Sequence, residues 1–345
     1  MNRRYVALAT TTVAAVGVRL WRERALSMSF AGRVVAITGG SRGLGLQVAR
    51  EAAARGARLA LLARSESELD SARDELMWHG TTVIALVCDV RSDADVTAAF
   101  ARIVAELGPV DVLINCAGII GVGPIDALAM SDYVDAIETN YLGAIRCVEA
   151  VRERMQTRRS GRIVNIGSIG GLVAIPMMLP YSGSKFALRG YSEGLHAELA
   201  RDGIVVTTVS PGLMRTGSPP HGTFVGQPEL EYALFAPAAT LPFTSISAQA
   251  AARSILDATQ RGQSEVVLSI QARLLNVAKR VAPRTTSAVF SALSGFLPRG
   301  DGRHERRLGA ASTRALDRAG LGGLGKREQA AQHESLEVDS GATRS

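Results

Sequence analysis

Seven short apolar segments alternate with longer stretches of helical periodicity between residues 32 and 269, and this alternation limits the folds open to the chain. The segments are rich in Val, Ile and Leu and lack strict apolar–polar alternation, which is typical of strands buried on both faces. Helical stretches of about three or four turns between such strands predict parallel crossovers. We expect a doubly wound α/β sheet, with a ligand crevice at the strand carboxyl ends, from strands over residues 33–38, 58–63, 82–88, 110–115, 162–167, 204–210 and 265–269.

The composition indicates one large folded domain with extensions at both ends. The chain has 345 residues, of which 47% are hydrophobic and 21% charged, and such a chain is globular. A parallel α/β domain of up to ~250 residues can form around a single core. We therefore expect a leader over residues 1–29, one folded domain over 30–270, a basic amphipathic extension over 271–298 and a disordered tail over 299–345.

The formal charge of +7 is concentrated in the regions that flank the folded domain. Residues 1–29 carry a net charge of +4 and residues 271–299 carry +5. No aromatic residues interleave with these cations as in a nucleic-acid-binding surface, so we expect no nucleic acid partner, and an anionic membrane surface fits better.

Both basic regions leave alternatives open. The apolar run over residues 5–18 is shorter than the ~20 residues of a membrane-spanning helix, so it is either an uncleaved anchor or a leader without a targeting role. Apolar residues recur at helical spacing from Ile270 to Leu297 among several cations. That segment could lie on lipid, cover the substrate mouth, contact a partner subunit or pack against its own domain.

Cysteines and histidines indicate neither disulfides nor a metal site. Cys88, Cys116 and Cys147 form no CxxC pair, so we expect all three to be reduced and buried in a protein on the cytoplasmic side. The histidines are scattered over helix, loop and tail positions, and we assign them no functional role: His79, His196, His221, His304 and His333.

A glycine-rich loop follows the first predicted strand. It reads Thr38-Gly39-Gly40-Ser41-Arg42-Gly43-Leu44-Gly45 and leads into an Ala-rich helix. Glycines permit a tight turn and close backbone approach, and the N-terminus of the helix can bind a pyrophosphate. The spacing is TGxxxGxG, which differs from the common GxGxxG dinucleotide fingerprint.

Four further motifs follow in order near the predicted strand ends. They are Asn115-Cys116-Ala117-Gly118 with Asn140 after it, Ser168, the pair Tyr181 and Lys185 in a YxxxK arrangement, and Pro211-Gly212 followed by Thr216. Together with the glycine loop, these motifs resemble the short-chain dehydrogenase/reductase family over about residues 30–270. The resemblance implies a Rossmann-like fold and an NAD(P)-dependent oxidoreductase. Cys116, where the family usually has a second asparagine, is a small departure.

The YxxxK pair can move a proton. Tyr181 and Lys185 lie four residues apart at the start of a predicted helix over 181–201, so they share one face. We expect the ammonium to lower the pKa of Tyr181 from about 10 and to let Tyr181 exchange a proton with a carbonyl or alcohol oxygen. Ser168 can hydrogen-bond the same oxygen, so Ser168 and Tyr181 are the predicted substrate-binding residues. The resemblance implies that Lys185 also holds the nicotinamide ribose and that Asn140 orients a water in a proton relay.

Two arginines favour NADP(H) over NAD(H). Arg64 stands after the second strand, where NAD sites usually carry an acidic residue, and Arg42 supplies a second cation for a 2′-phosphate. The resemblance places Asp89 and Val90 near the adenine. The complete predicted cofactor set is Gly39, Ser41, Arg42, Gly43, Leu44, Gly45, Arg64, Asp89, Val90, Asn115, Ala117, Gly118, Tyr181, Lys185, Pro211, Gly212 and Thr216.

The expected reaction interconverts a carbonyl and a secondary alcohol. Residues 213–244, where relatives place a lid, are rich in Pro, Gly and large apolar side chains, which predicts a small lipophilic substrate. A 3-oxoacyl thioester reductase is the alternative, although such relatives usually end soon after the seventh strand. A non-catalytic NADP-binding sensor or scaffold is a further alternative, which the intact catalytic set disfavours. The resemblance also implies a homodimer or homotetramer through helices over residues 131–158 and 181–201.

Overall fold

The computed structural model describes residues 27–216, 218–240, 245–300, 302, 304–312 and 330. Most of the leader predicted over residues 1–29, including the apolar run 5–18, lies outside the described residues, as does most of the tail predicted over 299–345. No helix in the described ranges combines the length and the apolar character needed to cross a membrane.

A seven-stranded parallel sheet forms the centre of the fold, and all seven predicted strands are confirmed. Their bounds are β1 (Val34–Thr38), β2 (Arg58–Ala63), β3 (Val83–Val87), β4 (Val112–Asn115), β6 (Gly161–Ile166), β7 (Ile204–Pro211) and β11 (Glu265–Leu268). The short strands β5 (Gly121–Val122), β8 (Met214–Arg215), β9 (Thr223–Val225), β10 (Ile246–Ser247) and β12 (Arg306–Leu308) lie outside this sheet. The central strands lie in the order β11-β7-β6-β4-β1-β2-β3, which is the doubly wound arrangement.

Helices cover both faces of the sheet. In chain order they are α1 (Gly43–Ala54), α2 (Glu66–Trp78), α3 (Asp93–Glu106), α4 (Met130–Ile137), α5 (Gly143–Arg158), α6 (Leu179–Leu199), α7 (Ser218–His221), α8 (Pro228–Thr240), α9 (Ala248–Gln260), α10 (Ile270–Val281) and α11 (Pro283–Ser294). Ser65 and Ser92 are the N-cap residues of α2 and α3. Each hydroxyl accepts a hydrogen bond from a backbone N–H of the first helical turn.

The central sheet has a hydrophobic core on each face, because the side chains of each buried strand point alternately to the two faces. In β1, Val35 and Ile37 face the core under α1, α2 and α9, whereas Val34 and Ala36 face the core under α3, α5 and α6. A strand that buries both faces needs apolar residues at every position, which is why the strand segments lack a polar alternation.

The predicted helix over residues 131–158 is interrupted. A π-helical turn, Glu138–Leu142, separates α4 from α5 and contains Asn140. The helix predicted over 181–201 begins two residues earlier, at Leu179, and continues after Leu199 as a 3₁₀ turn, Ala200–Asp202. Such π-helical turns are frequent at functional sites.

A second small sheet lies over the carboxyl edge of the central sheet. Its strand order is β12-β9-β5, so β12, near the end of the described chain, pairs with β9 of the lid segment, residues 213–244. Residues 304–312 therefore contain a strand, and the expected disorder of the tail is wrong for this part. A glycine at position 309 lets the chain after β12 approach α7 closely, because a Cβ there would strike the carbonyl oxygen of Pro219.

Candidate active site

The predicted site residues meet at the carboxyl edge of the central sheet. The loops after β1, β4, β6 and β7 and the first turn of α6 converge there, since the carboxyl ends of parallel strands share one edge. Each loop carries one of the motifs identified in the sequence.

The glycine loop packs too tightly for side chains at two positions. Gly39 has a φ of +67°, and a Cβ on it would approach the backbone of Ala117 to 3.0 Å. A Cβ on Gly45 would strike the carbonyl oxygen of Gly39. The glycines therefore let the loop pack closely against the start of α1, whose first-turn N–H groups lack intrahelical acceptors, as an anion site requires.

Thr38 connects the glycine-rich loop to the segment Asn115–Gly118. Its hydroxyl accepts hydrogen bonds from the backbone N–H groups of Cys116 and Ala117, each at 3.1 Å. Asn115 is buried at the end of β4, and its Nδ2 donates to Oδ1 of Asn165 at 2.8 Å. These bonds fix the chain that leads to Gly118.

Asn140 binds the segment after β4 to α6. Its Oδ1 accepts from the N–H of Ile119 at 2.8 Å, and its Nδ2 donates to the carbonyl of Ile119 at 3.1 Å and to Oγ of Ser184 at 3.0 Å. The side-chain amide thus has a positioning role. A Cβ on Gly118 would lie 2.9 Å from Oδ1 of Asn140 and 3.5 Å from Nζ of Lys185, so only glycine fits between them.

Ser168 and Tyr181 form the polar centre of the site. Both side chains border Gly170, since a Cβ there would lie 3.4 Å from Oγ of Ser168 and close to the Tyr181 ring, and Oγ of Ser168 accepts from the N–H of Gly170 at 3.0 Å. A Cβ on Gly170 would lie 3.2 Å from Cε1 of Tyr181, so glycine leaves room for the ring. The two hydroxyls can therefore bind the same substrate oxygen.

Lys185 lies beneath the tyrosine ring. Its Nζ is 5.8 Å from the centroid of the Tyr181 ring and donates to the carbonyl oxygen of Ile166 at 2.9 Å. Burial lowers the pKa of Lys185 to about 8. Desolvation of the charged form outweighs other influences on this ammonium.

The pKa of Tyr181 differs from the expectation. Burial raises its pKa above the ordinary value, and the hydrogen bond with Ser168 only partly offsets that effect. The expected lowering by Lys185 is wrong for this structure, because the phenolate is disfavoured by the apolar surroundings of the ring. A tyrosine with a raised pKa keeps its proton at neutral pH and can donate it.

The two predicted cofactor arginines have different surroundings. Arg42 lies 3.6 Å from a carboxylate oxygen of Glu68 and also contacts the ring of His221 in the lid segment. Ser41 is buried and donates to Glu68 at 2.9 Å. Arg64 is exposed directly after β2, and its charge helps to lower the pKa of Asp89, which is lowered mainly by the hydrogen bond of that carboxylate with Arg91.

The remaining predicted cofactor residues line the same edge. Gly43 and Leu44 begin α1, and Val90 is buried after β3 against Gly143. Pro211 ends β7, and Gly212 lies next to Ser269, because a Cβ there would approach its Oγ to 2.6 Å. Thr216 is buried and donates its N–H to the carbonyl of Met214 at 2.9 Å.

Several residues of the site were not assigned from the sequence. Thr38, Ser184 and Glu68 hold the motifs in place, and His221 contacts Arg42, although the histidines were expected to have no role. Thr38 lies in the TGxxxGxG motif and Ser184 in the YxxxK motif, so the sequence could have indicated both as site residues. Cys116 is half-buried beside the site, so the expectation that all three cysteines are buried is wrong for it.

Comparison with known proteins decides the family. The profile described as "short chain dehydrogenase" matches residues 33–220. The chain belongs to the short-chain dehydrogenase family. It is 35% identical over 189 residues to the 3-oxoacyl-[acyl-carrier-protein] reductase FabG of Escherichia coli, a match that covers 55% of this chain and 76% of the relative.

Two solved structures have the same architecture. A short-chain dehydrogenase from Streptomyces avermitilis has a TM-score of 0.67 and 28% sequence identity, with 78% of this chain and 99% of that chain covered. A gluconate 5-dehydrogenase from Burkholderia cenocepacia, in complex with NADP and tartrate, has a TM-score of 0.62 and 27% identity, with 71% and 97% covered. The protein is thus an oxidoreductase of a family that uses NAD or NADP.

The residues present fit a nicotinamide dinucleotide. Gly39, Gly45 and Gly118 form a surface on which any Cβ would contact backbone or site side chains, so close backbone approach is built into the edge. Cations stand at both arginine positions near the ends of β1 and β2. Within the described ranges, no group of three or more His, Cys, Asp or Glu side chains could hold a metal ion.

Proposed function

We propose that this short-chain dehydrogenase interconverts a carbonyl and a secondary alcohol with NADP(H), and that Tyr181 is the proton donor and acceptor. The observation that carries the proposal is the placement of Ser168 and Tyr181 side by side next to Gly170, with the buried ammonium of Lys185 near the tyrosine ring. A module that only binds the nucleotide has no need of this arrangement, which counts against a sensor or scaffold.

Each side chain has a distinct part in the proposed reaction. Ser168 donates a hydrogen bond to the carbonyl oxygen and fixes its position. The nicotinamide, when bound, supplies the hydride in reduction and accepts it in oxidation. Tyr181 gives its proton to the oxygen as the alcohol forms, and the ammonium of Lys185 stabilises the phenolate that remains. Lys185 also holds the ribose, and Asn140, besides fixing Ile119 and Ser184, orients a water that returns the proton.

The preference for NADP(H) rests on Arg64 and Arg42. Both cations stand on loops at the carboxyl edge, after β2 and β1, and an exposed guanidinium can bind a 2′-phosphate through two parallel hydrogen bonds. An acidic residue at the position of Arg64 would repel that phosphate and bind the ribose hydroxyls of NAD(H).

The substrate is proposed to be lipophilic because apolar side chains surround the tyrosine. The ring of Tyr181 packs against a cluster from β5, β9, α8 and the start of α6, whose buried members are Val122, Met178, Phe224, Tyr232 and Ala236. The similarity to the Escherichia coli reductase favours a 3-oxoacyl thioester as the second candidate substrate. An acyl chain is itself apolar, so it suits the same surroundings.

The proposal is tested by NADPH oxidation with the full-length protein. Lipophilic ketones and 3-oxoacyl thioesters serve as separate substrate panels. We expect Tyr181→Phe to lower kcat by about 10²- to 10⁴-fold while NADPH binding is retained, as for loss of a general acid. Tyr191→Phe on the same helix is the matched control, since its hydroxyl is buried without a hydrogen-bond partner in the described structure and should be dispensable. Equal turnover by wild type and Tyr181→Phe would reject the assigned role.

The variant Arg64→Asp tests the proposed preference for NADP(H) over NAD(H). We expect Arg64→Asp to weaken NADPH binding and to improve NADH binding, because it exchanges a phosphate-binding cation for a hydroxyl-binding carboxylate. Titration of each nucleotide by fluorescence measures both effects. Similar affinities of wild type for NADH and NADPH would contradict the preference.

Membrane contact and a homodimer or homotetramer remain separate proposals. Neither follows from the catalytic geometry, and each depends on exposed apolar residues outside the catalytic set.

A further inference from the structure

The helix pair α10–α11 carries exposed apolar stripes. In α10, residues four, three and four positions apart lie on one face and are largely exposed: Ile270 (71%), Leu274 (65%), Val277 (56%) and Val281 (79%). In and just after α11, the exposed large side chains are Val289 (52%), Leu293 (50%) and Phe296 (88%). Large apolar side chains grouped in this way mark an interaction surface.

The opposite face of the helix pair is fixed to the domain. Ala272 is buried, and Leu275 and Phe290 pack with it against a cluster that contains Leu172 and Val173. Nζ of Lys279 donates to Oγ of Ser287 at 3.2 Å and links the two helices. Packing against the protein's own domain therefore accounts for one side of these helices and leaves the stripes uncovered within the described structure.

The charges on the helix pair have one sign. Arg273, Lys279, Arg280 and Arg284 stand among the stripes, and no Asp or Glu occurs from residue 266 to residue 300. No carboxylate pairs with these four cations in the part of the chain that the structure describes. An occupant of this surface therefore has to supply the negative charge itself.

We propose that α10–α11 docks on an anionic lipid surface, with the stripes in the interface and the four cations at the phosphate headgroups. Apolar faces with leucine and phenylalanine beside lysine and arginine are the composition of helices that lie in a membrane interface. Anionic headgroups supply the negative charge that the surrounding sequence lacks.

The docking surface adjoins the candidate active site. Ile169, which follows Ser168, packs in the same cluster as Ala272 of α10. A Cβ on Gly212 would lie 3.2 Å from Cβ of Ala272, so the loop after β7 touches α10 as well. Docking would bring the site close to the lipid surface and let a lipophilic substrate pass from lipid to Tyr181. This access step rests on the proposed function, whereas the docking does not.

Vesicle sedimentation with the full-length protein tests the docking. We expect binding to vesicles of phosphatidylcholine with phosphatidylglycerol, and weak binding to phosphatidylcholine alone. The triple variant Leu274→Gln, Val277→Gln and Phe296→Gln should bind the anionic vesicles about tenfold more weakly, because it removes apolar contacts with lipid. Its melting temperature should not change, since all three side chains are exposed.

Matched variants distinguish lipid docking by the helix pair from adhesion through any exposed apolar residues and from self-association. The control Met77→Gln, Trp78→Gln and Ile125→Gln changes comparably exposed apolar residues outside both proposed contact surfaces and should bind as wild type does. Arg280→Gln with Arg284→Gln should reduce the preference for anionic vesicles.

Three outcomes would overturn the proposal. The first is wild-type binding by the Leu274, Val277 and Phe296 variant, and the second is equal binding of wild type to neutral and anionic vesicles. The third is loss of self-association in that variant without vesicle binding by wild type, which identifies a second copy as the occupant. None of these outcomes depends on enzymatic turnover, so a failure of the docking is distinguishable from a failure of the proposed function.

Discussion

At the scale of single residues, the charge of the Lys185 side chain changes near neutral pH. Burial lowers its pKa to about 8, so the ammonium is present below that pH and is lost above it. Without the ammonium, the phenolate left on Tyr181 after proton donation is less stable. We therefore expect kcat/KM for carbonyl reduction to fall as pH rises through about 8, and a pH profile of kcat/KM reports this pKa in the free enzyme.

Lys185→Arg is the variant that tests whether this ammonium causes the decrease. A guanidinium keeps its charge over the whole range, so the decrease should move to higher pH even where the rate itself is lower. The profile of Tyr191→Phe should match that of wild type. A flat wild-type profile between about pH 6 and 10, or an unchanged decrease in Lys185→Arg, would contradict the assignment.

The sequence predicted which residues meet at the site but not how they act on one another. Order and spacing identified Ser168, Tyr181 and Lys185, because the motifs follow strand ends that share one edge of the sheet. The direction of the pKa change at Tyr181 depends on burial, which spacing does not reveal. The contact between Arg42 and His221 joins residues 179 positions apart, and nothing local in the sequence indicates it.

At the scale of elements, helix α8 of the lid segment contains a buried carboxyl group. Glu231 is 1% exposed; its Oε1 accepts from the N–H of Gln227 at 3.0 Å, and its Oε2 has no hydrogen-bond partner in the described structure. Burial raises the pKa of Glu231 to about 7. The folded protein thus holds a proton that the unfolded chain releases between about pH 4.5 and 7.

The raised pKa of Glu231 makes stability depend on pH in one direction. Its contribution is complete below the ordinary pKa of a glutamate and is lost as pH rises through about 7. Glu231→Gln resembles the protonated form at every pH, so its melting temperature relative to wild type should rise between pH 5.5 and pH 8, at about 2–4 °C per kcal/mol. Glu229→Gln on the same helix is the control and should show no such trend. A constant difference between Glu231→Gln and wild type at both pH values would count against the prediction.

Helices and strands were predictable from the sequence where their own residues carry the hydrophobic pattern. Every strand of the central sheet was found from its own apolar residues, since burial on both faces requires them. The π-helical turn at Asn140 and the pairing of β12 with β9 were not found. Strand β12 has three residues and pairs with residues about 80 positions earlier, so its structure depends on distant contacts and not on local periodicity.

At the scale of the whole molecule, two exposed apolar regions differ in the charges that surround them. The helix pair α10–α11 carries cations, whereas α4 and α6 carry a second group without such a concentration of charge. That group contains Met130 (76%), Val134 (51%), Leu179 (38%) and Phe186 (42%). Helices α4 and α6 pack against each other, so these side chains occupy one region of the surface. Exposed apolar residues on adjacent helices favour contact with a second copy of the chain.

We expect this α4–α6 region to hold the homodimer or homotetramer proposed for the protein. Phe186→Glu places a carboxylate in the centre of that contact and should shift the particle towards the monomer mass in light scattering, because an unpaired charge in an interface is costly. Phe296→Glu on the lipid-facing helix pair is the control and should leave the mass unchanged while it weakens vesicle binding. If wild type is a monomer at every concentration tested, or if Phe186→Glu and wild type have the same mass, the α4–α6 contact is wrong. If Phe296→Glu alone lowers the mass, the helix pair is the interface between copies, and the assignment of the two surfaces is reversed.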